Sequence, residues 1–285
     1  MRGAPIGVFD SGVGGLTVLK ALAAELPREN FVYLGDTARL PYGTKSPETV
    51  ARYAVQAAEA LAEYGVKCLV IACNTASSVG LPAIREHISG VPIVGVIEPG
   101  AEAACAASKS GHIAVIATEG TVRGGAYQEA ILRLRGRARV VAQPAQLFVA
   151  LAEEGLYEGS IAESVARHYL DPVFHPSGSG THASNGHPGR ESSASPDTLV
   201  LGCTHFPMLA GAIRAVVGPS IAIVDSAATT AKAVRDTLDR ESLARREGEG
   251  TARFLATDSA ERFARIGSRF LERPIHPEEV ELVDL

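Results

Sequence analysis

Cys73 and Cys203 each stand directly after an apolar run, in Val70-Ile71-Ala72-Cys73-Asn74-Thr75 and Val200-Leu201-Gly202-Cys203-Thr204-His205. An apolar run that breaks into cysteine and small polar residues is the pattern of a buried parallel strand delivering a thiol at its carboxyl end. Open α/β sheets gather their ligand chemistry there. The two copies lie about one domain length apart. Made twice, the construction sets two thiols against one substrate from two similar halves. Such a pair can remove a proton from one face of a carbon and return one to the other.

Other strand ends carry acids and hydroxyls. The first apolar run ends in Asp10-Ser11-Gly12-Val13-Gly14-Gly15-Leu16-Thr17. Thr17 stands where a dinucleotide-binding GxGxxG needs its third glycine, and no Walker pattern is present. What remains is a turn with backbone N–H groups at a helix start, suited to a carboxylate. Asp10 reads either as a helix cap together with Ser11 or as a group free for ion pairing or proton work. The connection Gly35-Asp36-Thr37-Ala38-Arg39-Leu40-Pro41-Tyr42-Gly43 is long, and Pro41 and Gly43 shape it. Ala117-Thr118-Glu119-Gly120-Thr121 again sets hydroxyls after a strand. A small, charged, carboxylate-bearing substrate fits this distribution.

These ends need elements to position them, and β-rich runs alternate with helical stretches through the chain. Expected strands are 6–9, 31–35, 67–72, 92–96, 112–117, 138–141, 198–201, 221–224 and 253–256. Single helices are expected over 77–87 and 121–134, among others between the strands. The alternation predicts an α/β fold of two pseudo-symmetric, doubly wound parallel-sheet domains with the active site in the cleft between them. Residues 1–97 plus 225–285 read as the domain carrying Asp10 and Cys73, and 98–224 as the domain carrying Cys203 and His205. The stretch 175–196 interrupts the pattern: His175 to Pro196 contains no Leu, Ile, Val or Phe. Too little apolar surface is available there to offset ordering entropy, so a mobile surface loop is expected. Its His175, His182 and His187 are too sparse to read as metal ligands.

Composition narrows the class. A content of 46% hydrophobic and 21% charged residues describes a globular protein, and a net charge of −5 gives no reason to expect nucleic acid. The basic run from Arg133 to Arg139 reads as a solvated helix end. No apolar stretch reaches bilayer length, and Met1 to Pro5 is too short for a signal peptide, so a cytoplasmic enzyme is the expectation. Four cysteines are too few for a disulfide scaffold. Cys68 and Cys105 read as small buried apolar residues. There is no CxxC pair, and Cys203-Thr204-His205 lacks further ligands for zinc, so no metal is expected.

Five blocks together resemble the glutamate racemases, within the cofactor-independent aspartate/glutamate racemase superfamily. They are Phe9 to Thr17, Gly35 to Gly43, Ala72-Cys73-Asn74-Thr75-Ala76-Ser77, Gly95-Val96-Ile97-Glu98-Pro99-Gly100-Ala101, and Leu201-Gly202-Cys203-Thr204-His205. They run in family order through most of the chain. His205, where aspartate racemases usually have Glu, and the Asp-Ser-Gly-Val-Gly-Gly opening favour the glutamate branch. The resemblance implies that Cys73 and Cys203 are the catalytic bases, assisted by Asp10 and His205 respectively. It implies a substrate site of Asp10, Ser11, Tyr42, Gly43, Asn74, Thr75, Thr118, Thr121, Glu153, Thr204 and His205. It further implies interconversion of L- and D-glutamate by two-base α-proton transfer, with Cys73 acting on the D and Cys203 on the L enantiomer. D-glutamate for peptidoglycan, no cofactor and a homodimer follow from the same resemblance. Two departures stand out: Phe206 replaces a common Tyr, and 175–196 looks inserted. The alternatives are an aspartate or other amino-acid racemase of the superfamily, or a non-catalytic amino-acid-binding or regulatory protein.

Overall fold

The computed structural model describes residues 2–175 and 195–285. Most of the expected loop, His182 and His187 included, lies outside the described residues. The strands are β1 (Ile6–Asp10), β2 (Phe31–Gly35), β3 (Cys68–Ile71), β4 (Ile93–Gly95), β5 (His112–Ala117), β6 (Arg139–Pro144), β7 (Thr198–Gly202), β8 (Ala222–Asp225), β9 (Ala252–Ala256) and β10 (Val280–Leu282). Helices of the first half are α1 (Leu16–Glu25), α2 (Pro47–Glu63), α3 (Asn74–Val79), α4 (Leu81–His87), α5 (Ile97–Ala107) and α6 (Glu119–Gly124). They are followed by α7 (Ala126–Leu134), α8 (Leu147–Glu154), α9 (Gly159–Phe174), α10 (Ala210–Val217), α11 (Ser226–Arg240) and α12 (Ala260–Leu271).

The strands form two all-parallel sheets. One has the order β10-β9-β2-β1-β3-β4, the other β6-β5-β7-β8. Within each, the first four strands follow one permutation: second, first, third, fourth. The direction of winding therefore reverses between the first and third strands of each sheet, the switch point where such sheets bind ligands. Asp10 and Cys73 leave the sheet at one switch point, Thr118 and Cys203 at the other. Ala117 pairs with Gly202, so Thr118 and Cys203 emerge side by side.

Local sequence explains most boundaries. α2 starts at Ser46, whose hydroxyl accepts the Thr49 N–H, with Pro47 in the first helical position. The helix expected over 77–87 is two, divided at Gly80, because Pro82 has no N–H to continue the earlier helix. The helix expected over 121–134 is also two. Gly125 separates them at φ 72°, a left-handed conformation that glycine adopts without strain. The edge strand β10 was not expected; three residues, Val-Glu-Leu, carry too short a pattern to read.

A continuous apolar cluster joins the sheets. It runs from Ile6, Val8 and Val70 of one to Ile116 and Leu201 of the other, with α1, α11 and α12 packed into it. Each fully buried Ile, Leu or Val in it contributes roughly 1.5–3 kcal/mol. Separate clusters lie under α2 on the outer face of the first sheet and under α5 and α7 on the outer face of the second. The strand ends are thereby mounted on rigid, doubly covered sheets.

Candidate active site

Asp10 ends β1 and is 1% exposed. Its Oδ2 accepts the Gly12 N–H at 2.9 Å, and its Oδ1 lies 3.5 Å from the Thr204 hydroxyl that donates to it. The turn was expected to offer free amides to a ligand carboxylate. Instead the Gly12 amide holds the protein's own carboxylate, and the Leu16 and Thr17 amides bond back to Val13 and Gly14. Burial raises the Asp10 carboxyl above its ordinary value against the opposing charge of His205 and the Gly15 and Gly12 amides. Two glycines of the turn are sterically required. A Cβ on Gly15 would overlap Asp10, and one on Gly14 would overlap the His205 ring and the Thr204 hydroxyl. Thr17, which breaks the dinucleotide pattern, donates to Gly14 O at 2.9 Å and Thr204 O at 3.1 Å, fastening α1 to the Cys203 loop.

Cys73 caps α3, its sulfur accepting the Ala76 N–H at 3.5 Å and standing 3.5 Å from Ser11 Oγ. Burial and the neighbouring Asp10 charge push this thiol up to about 12. Cys203 lies beyond β7, with Sγ 3.8 Å from His205 Nδ1. The other ring nitrogen, Nε2, donates to Glu153 Oε1 at 3.2 Å, and Arg262 donates to Glu153 Oε2 at 2.6 Å. Burial opposes the imidazolium, yet the hydrogen bonds to Cys203 and Glu153 and the charges of Cys203 and Asp10 outweigh it. His205 is pushed up to about 10. The two thiols thus face different environments: one beside an acid, the other beside a cation.

Both thiols line one cavity of about 570 Å³. Every residue expected at the site lines it except Asp10 and Thr121, which stand behind the wall. Thr121 belongs to a triangle of hydroxyls: Thr75 and Thr118 at 2.9 Å, Thr118 and Thr121 at 2.9 Å, Thr75 and Thr121 at 3.1 Å. The long loop after β2 is anchored by fully buried Asp36, which accepts from Tyr42, Arg39 and Thr257. Phe206 points away from the cavity, its ring edge-on to Phe148 at 5.3 Å.

Some residues at the site were not anticipated. Gln146 follows β6 and lines the cavity, its buried Oε1 without a partner among the described residues. The expected strand stopped at 141, short of the observed end at Pro144, so the strand-end rule did not reach it. Tyr127 donates to Asn74 Oδ1 at 2.8 Å, leaving buried Asn74 Nδ2 unpartnered among the described residues. Nothing in the local sequence marks Tyr127 or Arg262. Among the described residues no group of three or more His, Cys, Asp or Glu could hold a metal ion. Nor is any described helix long and apolar enough to cross a membrane.

Residues 6–170 match the model of the family described as Asp/Glu/Hydantoin racemase. The chain is 46% identical to a glutamate racemase of Geobacter metallireducens, over 93% of this chain and 92% of that one. The chain belongs to the Asp/Glu/hydantoin racemase family. Solved structures agree. A glutamate racemase of Francisella tularensis in complex with D-glutamate superposes with a TM-score of 0.87 at 33% identity, covering 100% of this chain and 98% of that one. A glutamate racemase of Thermus thermophilus in complex with beta-chloro-D-alanine gives 0.83 at 44% identity, with the same coverages. This racemase is therefore an enzyme of the isomerase class, and the motif resemblance to the glutamate branch agrees with these relatives.

Proposed function

We propose that this racemase interconverts L- and D-glutamate by two-base proton transfer at the α-carbon, with Cys73 and Cys203 as the bases. The observation that carries the reading is the pair of thiols from different sheets on one cavity, each beside its own titratable partner. The names of the relatives supply the substrate. The cavity volume of about 570 Å³ suits a small molecule.

In one direction the Cys203 thiolate takes the α-proton of L-glutamate and becomes a thiol. The electron pair left on the α-carbon delocalises into the adjoining carboxylate. The Cys73 thiol then protonates the opposite face, leaving D-glutamate and a Cys73 thiolate. The reverse reaction exchanges the roles. Charged His205, 3.8 Å from Cys203 Sγ, stabilises negative charge on that sulfur. Asp10 beside Cys73 acts oppositely, keeping that thiol protonated until it donates, and taking its proton in the D-to-L direction. Asn74 Nδ2 is a preorganised donor for a substrate carboxylate, beside the Thr75 and Thr118 hydroxyls on the same wall. Ser11, Tyr42, Gly43 and Thr204 complete the substrate wall, with Thr121 supporting Thr75. No cofactor is required.

The two lobes of this reading divide at 97/98 and 224/225, and their closure excludes water from the carbanion. In the cell it is a cytoplasmic homodimer supplying D-glutamate for peptidoglycan. The test is α-deuterium incorporation in D₂O from each enantiomer, beside Cys73→Ser and Cys203→Ser. Product-specific labelling, with racemisation lost in both variants and glutamate still bound, is the expected result. Exchange with aspartate alone would keep the chemistry and overturn the substrate. Binding without exchange would return the chain to the binding-protein reading.

A further inference from the structure

Helix α12 belongs to the layer covering the six-stranded sheet, yet it supports the Cys203 side of the cavity. Its buried face, including Phe263, Ile266 and Phe270, packs into the shared core. Phe270 sets its ring edge-on to the His205 ring at 5.2 Å. Arg262, in the first turn, donates to Glu153 Oε2 at 2.6 Å, and Arg269 lies 3.5 Å from the Glu153 carbonyl oxygen. Glu153 is carried on α8, next to the four-stranded sheet, and only its Oε1 faces His205. A carboxylate held at one oxygen can rotate away from its partner. Held at both, its plane is fixed, and a charge-assisted bond is the strongest way to do so.

We propose that Arg262 is a positioning residue for proton transfer at Cys203: it locks Glu153 so that His205 keeps Nε2 on the carboxylate and Nδ1 toward the sulfur, coupling the seating of α12 to one of the two thiols. The arrangement resembles the acid that orients a histidine in a catalytic triad, extended by one residue. Cys73 has Asp10 beside it in place of a histidine, and among the described residues its sulfur is held by Ser11 and the Ala76 amide. Arg262 is 45% exposed, so the pair contributes little to folding and its loss is read in the chemistry.

This inference rests on the two-thiol reading, and the isotope effects of the two enantiomers separate the two. L- and D-glutamate have equal energies, so any variant must change kcat/KM equally in both directions. Its isotope effects need not change equally. Slowing the Cys203 steps makes abstraction from α-deuterated L-glutamate limiting, and that effect rises. From α-deuterated D-glutamate the slow step becomes reprotonation, after the labelled bond has broken, and the effect falls toward one.

The expected result for Arg262→Ala is a loss of roughly three- to tenfold in kcat/KM with this split. Arg262→Lys should restore most of both. Added to Glu153→Gln, Arg262→Ala should change nothing further, because the two act as one unit. Isotope effects that keep their wild-type values for both enantiomers, or losses that multiply in the double variant, overturn the assignment of Arg262 alone. A wild-type chain that does not racemise glutamate overturns the parent reading with it.

Discussion

A histidine buried among a carboxylate, a thiol and an aspartate keeps its proton far above neutral pH. Folded His205 is pushed up to about 10, against about 6.5 in an unfolded chain. Between those values the native chain binds a proton that the unfolded chain has released, so stability falls as pH rises through the interval. The contribution is complete below about pH 6.5. Cys73, pushed up to about 12, adds a loss of the same sign once unfolded thiols ionise above about pH 8.5. At the acid end, burial would raise Glu153, but His205 and Arg262 hold it below its usual range. Thermal melts of the wild type and His205→Asn should therefore converge as pH is raised from 6.5 toward 9. A gap in Tm that stays constant over that range would remove the charged histidine from the site. The thiols, Asp10 and the hydroxyls after strands were legible because strand ends announce them, whereas Glu153 on α8 was reached only through the family resemblance. Their charge states were not, since these depend on neighbours such as Glu153, which lies 52 positions from His205.

At the level of elements, the amino ends of the first sheet are tied as firmly as its carboxyl ends are shaped. Lys67, just before β3, is 1% exposed and pairs at 2.5 Å with Glu29, which leads into β2 and is 2% exposed. Lys67 also donates to Arg2 O and Leu243 O, while Glu29 accepts the Arg245 N–H at 2.7 Å. The N-terminal segment, the α2–β3 turn and the α11–β9 connection thus meet at one buried pair. Removing one partner strands the other charge, so Lys67→Met should lower the unfolding free energy by about 3–5 kcal/mol. The Glu29→Gln/Lys67→Met double variant should lose less than the sum. Chemical denaturation checks both, and additive losses would show that the two charges are not coupled. Neither residue lines the cavity, so KM should hold in both variants. Such ties mark what sequence reading could not supply. Apolar runs gave the strands, and Ser46-Pro47 gave the start of α2. The breaks at Gly80 and Gly125 were hidden because helical patterning continues across them. The amides of the Asp10 turn were legible as donors, and Asp10 as either a cap with Ser11 or a free group. The carboxylate in fact takes the Gly12 amide, while α1 has Gly15 at its cap position and no side-chain cap.

Across the whole molecule, two sheets with the same strand permutation direct the same positions to one region: third-strand ends set Cys73 and Cys203 on one cavity, while of the first-strand ends Thr118 lines it and Asp10 stands behind its wall. Bonds between the halves determine how those ends meet. Thr75 reaches Thr118 and Thr121, Thr17 reaches Thr204, and Tyr127 on α7 reaches Asn74 on α3. Tyr127 therefore holds a side chain on the cavity wall from the other sheet's covering layer. Removing its hydroxyl leaves Asn74 Oδ1 buried without its partner, a cost of about 1–3 kcal/mol, and frees the amide to turn. If Asn74 serves a carboxylate common to both enantiomers, as proposed, Tyr127→Phe should slow both proton transfers alike. The expectation is a loss of about tenfold in kcat/KM, with α-deuterium effects for L- and D-glutamate that keep their wild-type ratio. The split predicted for Arg262→Ala is the contrast. An isotope split in Tyr127→Phe would mean that this contact biases one thiol, and that the two halves do not share the carboxylate as their common pivot.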